Sequence, residues 1–164
     1  ASNPIAELTD EQIIGIYKGE IESWSEVGGD NKPITVVNRA EGRSELELFG
    51  KFFNLDTTEI DADIVSGENQ HGIKTVAGDP NAIIYMSVGA SEFEAKRGAS
   101  IKLLPLRGVA ATFENVQSGQ YPLARPLILI TKPDPAGLVG QFIAFATSPE
   151  VNDLVQGQHY VPIQ

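Results

Sequence analysis

The chain has 164 residues, 41% hydrophobic and 21% charged, which is enough for one well-buried core and excludes a disordered tract. A net charge of −10 argues against nucleic acid or an anionic membrane as partner, because neither would meet a basic patch, and zero cysteines exclude disulfides and thiolate metal sites. No apolar run has membrane-spanning length and Ala1 opens no signal peptide, so the expectation is a cytosolic or an already trimmed chain.

Asn3-Pro4 makes the entry extended or turning. Thr9 and Gln12 stand at capping-box spacing, predicting a helix with an apolar face of Ile13, Ile14 and Tyr17 that Gly19 ends. Trp24 to Gly29 reads as a short turn with Trp24 as a packing anchor beneath it. The stretch Ile34 to Phe53 is the chemical centre of the chain. A β-branched strand, Ile34 to Val37, stops at Asn38-Arg39, loops through Ala40-Glu41-Gly42-Arg43 and enters a helix carrying Leu46, Phe49 and Phe53. Ser44 is placed to cap that helix, whose first amides lack intrahelical partners and, with the positive end of the dipole, suit an oxyanion. Arg39 and Arg43 add guanidinium forks that match phosphate or carboxylate geometry.

Downstream, Asp61 to Val65 predicts a strand, and Glu68 to Gly72 opens a helix bearing Ile73 and Val76, with Asn69 as a candidate cap. His71 and His159 lie at no metal-binding spacing, so neither a metal nor a cofactor is expected. After the turn at Asp79-Pro80-Asn81 come an apolar strand from Ala82 to Val88, a short helix from Ser91 to Arg97, a strand from Ile101 to Leu106 and a helical turn from Thr112 to Ser118. Leu127 to Thr131 predicts a buried strand; Leu138, Phe142 and Phe145 follow at helical spacing as core packing, and Ser148-Pro149-Glu150 opens a last helix with Val151, Leu154 and Val155. Strands alternating with helices call for an α/β protein, a three-layer αβα sandwich on a mixed, mostly parallel sheet.

Four segments are similar to one known family: LTDEQIIGIYKGEIESWSEVGG (8–29), DPNAIIYMSVG (79–89), YPLARPLILIT (121–131), and GLVGQFIAFATSPEVNDLV with the later YVPI. They resemble the PstS-type periplasmic phosphate-binding proteins, the solute receptors of ABC importers with the type II periplasmic binding protein fold. The family's loop pattern is Arg-x-Asp/Glu-Gly-Ser-Gly-Thr; Arg39, Glu41 and Gly42 match it, whereas Arg43-Ser44-Glu45 replaces Ser-Gly-Thr and Ile84 replaces a regular glycine. The resemblance implies a non-enzymatic receptor in which Arg39 contacts the anion and Glu41 orients it. Gly42, Arg43, Ser44 and Glu45 complete the loop, with backbone donors from the last three and one hydroxyl from Ser44. Asn69 and Gln70 are secondary polar contacts, and Arg125 either reaches the cleft or pairs with surface acids.

The implied ligand is phosphate or a similar oxyanion, the implied partner a membrane ABC permease, and the implied location periplasmic or extracellular. Residues 1–120 are second-lobe-like and 121–164 form a returning strand and C-terminal helices, in one domain from which the family's N-terminal lobe is absent. A surface meant for that lobe suggests a homodimer. The altered loop leaves a second reading open, an interaction or sensor protein that keeps the fold without the anion site. A hydrolase with Ser44 as nucleophile is disfavoured, since the loop lacks the second glycine of a nucleophile elbow and no histidine base is identified.

Overall fold

A computed structural model describes residues 2–162; Ala1, Gln164 and Ile163, the last residue of the YVPI segment, lie outside it. The chain divides into two compact units, residues 1–123 and 124–164.

The first unit is α/β. Helix α1 (Asp10–Tyr17) opens on the expected capping box, in which Thr9 Oγ1 accepts from the Gln12 N–H at 3.2 Å and Gln12 Oε1 accepts from the Thr9 N–H at 2.9 Å. Gly19, at φ +69°, turns the chain away from it. Strand β1 (Thr35–Arg39) leads through helix α2 (Ser44–Phe53) to β2 (Ile64–Ser66), and helix α3 (Asn69–Gly78) leads on to β3 (Ala82–Ile84). The three strands are parallel in the order β2-β1-β3, with Arg39 opposite Ser66 and Thr35 opposite Ala82. The central strand is covered on both faces, which explains why Val36 and Val37 are both apolar and both buried. The chain steps from β1 to β2 on one side and then crosses back past β1 to β3 on the other, so the order reverses at β1, whose carboxyl end lies where α/β sheets place their ligand crevices.

Beneath that end lies an aromatic cluster. The Phe49 ring stacks on Tyr85 at 3.9 Å between centroids and meets Tyr17 edge-on at 4.8 Å and Phe53 at 4.8 Å. Trp24 is buried, as an anchor should be, and its Nε1–H donates to the Asn81 carbonyl at 2.9 Å.

Several elements differ from the sequence expectation. The strand read from Ala82 to Val88 ends at Ile84, and Val88 begins helix α4 (Val88–Lys96) behind Ser87, whose hydroxyl accepts from the Ala90 N–H. Ile101 to Leu106 forms no strand; Leu106 makes only an isolated antiparallel bridge to Val109. Helix α5 (Phe113–Gln117) starts behind its Thr112 cap.

In the second unit, the stretch read as a buried strand, Leu127 to Thr131, is irregular and exposed, with Ile130 at 90%. Helix α6 (Gly137–Ala146) carries Leu138, Phe142 and Phe145, but all three face solvent, Leu138 at 83%, instead of packing in a core. A 3-10 turn (Pro149–Val151) and helix α7 (Asn152–Gly157) follow. Among the described residues no helix is long and apolar enough to cross a membrane.

Phe49 is 3% exposed and contacts three other rings, so Phe49→Ala is expected to lower stability by about 3–5 kcal/mol. Urea unfolding followed by Trp24 fluorescence measures it; a loss under about 1 kcal/mol would contradict this account of the core.

Candidate functional site

The site is built at the carboxyl end of β1. After Arg39 the chain reverses over Ala40 to Arg43, with the Arg43 N–H donating to the Ala40 carbonyl at 3.2 Å and Gly42 at φ +77°, a conformation that favours glycine. The Ala40 N–H donates to the Ser66 carbonyl at 3.1 Å, and the buried Ser66 hydroxyl donates to the Glu68 carbonyl at 3.0 Å. These bonds bring the starts of α2 and α3 together around one side chain.

That side chain is Arg39, only 2% exposed. Its Nη2 donates to Asn69 Oδ1 at 3.0 Å and lies 3.7 Å from Glu45 Oε1, while Nε and Nη1 are buried without a partner. Gly72 makes room for it. A Cβ there would lie 2.7 Å from Ile84 Cδ1 and 3.8 Å from Arg39 Nη1, so a glycine lets α3 press against the sheet beside the guanidinium. From below, Asn38 Oδ1 accepts from the Arg39 N–H at 2.8 Å and also accepts a hydrogen bond from the Tyr85 hydroxyl. Burial pushes the Tyr85 pKa up to about 12, against the lowering effect of the nearby Arg39, and burial raises Tyr17 as well.

The helix ends matter as much as the arginine. In the first unit, α1, α4, α5 and two 3-10 turns open with a Ser, Thr or Asp side chain accepting a backbone N–H. Helices α2 and α3, ten residues each, have no such cap. Their first-turn amides therefore keep donor capacity and a positive dipole end beside a buried cation.

The predicted site residues separate into two groups. Arg39, Ser44, Glu45 and Asn69 gather at this point; Arg43 is nearby, but its guanidinium is held by Glu68 across the two loops. Four expectations need correction. The carboxylate beside Arg39 is Glu45, the second residue of α2, not Glu41, which lies in the exposed turn. Ser44 is the first residue of α2 and not its cap, its hydroxyl lying 3.4 Å from Glu45 Oε2. Gln70 donates to Glu94 on α4 at 3.0 Å, and Asn69 begins α3 without capping it. Sequence reasoning missed Asn38, Glu68 and Tyr85; the Asn38-Arg39 dipeptide at the strand end was the available signal for the first. Among the described residues no cluster of His, Asp or Glu could hold a metal ion.

A model of the PBP superfamily domain matches residues 1–150. The chain belongs to the PBP superfamily. This PBP chain is 28% identical over 167 residues to the phosphate-binding protein PstS of Bacillus subtilis, covering 99% of itself and 54% of that relative. It is 29% identical to the PstS of Borreliella burgdorferi, covering 98% of itself and 60% of the relative. Among solved structures, a Clostridium perfringens protein with bound phosphate superposes with a TM-score of 0.80 at 31% identity, over 99% of this chain and 65% of that one. An ABC-type phosphate transport receptor from Vibrio cholerae gives 0.79 at 27% identity, over 98% and 66%. The chain thus spans little more than half the length of these curated relatives.

Tyr85 generates a pH prediction. Because its folded pKa is raised to about 12 from about 10, the folded state favours the neutral phenol. Its stabilising contribution is complete below about pH 10 and is lost as pH rises towards 12. Denaturant midpoints measured from pH 9 to 12 should fall through that window, and fall less steeply in Tyr85→Phe; identical slopes would remove Tyr85 as a cause.

Proposed function

We propose that this chain binds phosphate or a closely similar oxyanion, as the ligand-holding part of a non-enzymatic solute receptor for an ABC importer. The observation that carries the reading is Arg39, a nearly fully buried guanidinium with two unpartnered nitrogens, beside two helices that begin without caps. A buried cation with unsatisfied N–H groups is costly unless an acceptor-rich anion completes it. A tetrahedral oxyanion offers enough oxygens to engage the guanidinium and the amides of Ser44 and Glu45 together, with Asn69 fixing the guanidinium from the α3 side. The naming of the relatives as phosphate-binding and phosphate-transport proteins supports phosphate over other oxyanions.

In this reading the first unit is the binding lobe, Gly42 shapes the loop, and Arg43 and Glu68 hold the two helix starts in register. The receptor works outside the cytoplasmic membrane with a membrane permease. Self-association through the exposed apolar face of the second unit is tested by sedimentation, and monomer alone at high concentration removes it. A second reading, an interaction or sensor protein with a disabled anion site, is favoured by one observation: the Glu45 carboxylate already lies against Arg39.

Calorimetric titration with phosphate near neutral pH, with Arg39→Ala alongside, separates the two. Saturable binding that weakens by about 10- to 100-fold in the mutant is expected, the cost of a lost charge-assisted hydrogen-bond set. Binding that is untouched by Arg39→Ala, or absent from the wild-type chain, would overturn the receptor reading.

A further inference from the structure

Glu45 is an anomaly in an anion site. It stands in the first turn of α2, where the helix dipole favours a carboxylate, and its side chain is 27% exposed and turned towards Arg39 instead of lying on the outer face of the helix. Oε1 lies 3.7 Å from Arg39 Nη2, and Oε2 lies 3.4 Å from the Ser44 hydroxyl, which donates to it. Those are the buried cation and the adjoining hydroxyl, two donors an incoming oxyanion would use. We propose that Glu45 is an internal competitor of the ligand, a carboxylate that stands in for the oxyanion at Arg39 and Ser44 and sets the affinity of the site by having to yield to it.

The proposal rests on the oxyanion reading above and adds to it a residue that lowers affinity. The contacts of Glu45 are what a stand-in would make. At 3.7 Å it supplies Arg39 with charge but no hydrogen bond, its contact with Ser44 is long, and Nε and Nη1 remain unpartnered. A bound oxyanion can supply both charge and hydrogen bonds, so exchange is favourable in hydrogen bonding and opposed by like-charge repulsion from Glu45. The neighbouring ionic and amide groups are committed elsewhere: Arg43 to Glu68, and Gln70 to Glu94. The repulsion acts beside a guanidinium that is 2% exposed, where screening by salt is weak.

Calorimetric titrations of the wild-type chain and Glu45→Gln with inorganic phosphate and with sulfate test this, with Arg39→Ala and the Arg39→Ala/Glu45→Gln double variant as controls. The glutamine variant should bind both anions at least about tenfold more tightly, a gain absent from the double variant. Glu45→Thr, which also removes the charge, should reproduce the gain and guards against a folding defect peculiar to glutamine. Unchanged affinity in both variants would overturn the proposal. So would weaker phosphate binding with sulfate unaffected, which would make Glu45 an acceptor for a proton on the ligand. If wild-type binding depends on Arg39 but not on Glu45, only this proposal fails; if no variant binds either anion, the oxyanion reading fails with it.

Discussion

A guanidinium removed from water needs negative charge and hydrogen-bond acceptors close at hand, and the first unit is arranged around an arginine whose needs are only partly met. Arg39 ends the central strand of a three-stranded parallel sheet, so neighbouring strands and α3 enclose it and its long side chain cannot reach solvent. Asn69 supplies one neutral acceptor and Glu45 supplies charge at ion-pair distance. The remaining donors, with the uncapped starts of α2 and α3, form a concentration of positive potential in a chain whose overall charge is −10. The net charge and the site do not conflict, because aligned donors act over a few ångströms and distant carboxylates are screened beyond about 8–10 Å.

The same residues connect site and core. The ring of Tyr85 stacks on Phe49 within the aromatic cluster, while its hydroxyl meets Asn38 beneath the Arg39 backbone. Packing in the core therefore sets where the strand ends and where the guanidinium lies. The uncapped helices carry a related cost. A side-chain cap is worth about 0.5–2 kcal/mol, and α2 and α3 lack one where the other helices of this unit have one. Stability not taken up at these two ends is available to a ligand that acts as the cap.

Membership of the PBP superfamily and superposition on phosphate receptors agree with this geometry, yet the loop departs from the pattern of the receptors it resembles at Arg43-Ser44-Glu45. The departure is not neutral. Arg43 turns to Glu68, and Glu45 brings a carboxylate to the buried cation. The second unit presents Leu127 to Ile130 and one side of α6 to solvent, in a chain that spans little more than half of its curated relatives.

What the sequence determined by itself was what short-range rules govern. The Thr9 capping box, the 3.6-residue recurrence of Leu46, Phe49 and Phe53, the β-branched run before Arg39 and the glycine turn at Gly42 are local, and α1, α2, β1 and the loop stand where those signals put them. Strand pairing is not local. Leu127 to Thr131 has the composition of a buried strand but lies in no ladder, and Ala82 to Val88 stops at Ile84 because Ser87 offers a cap to a helix. The partners of Arg39 were hidden for the same reason. Asn69 is 30 residues away and Tyr85 is 46, and only the parallel register of three strands brings them to one point. Tertiary structure also decided between two acids: Glu41 lies in the exposed turn, whereas the start of α2 holds Glu45 beside the strand end with its carboxylate towards the guanidinium.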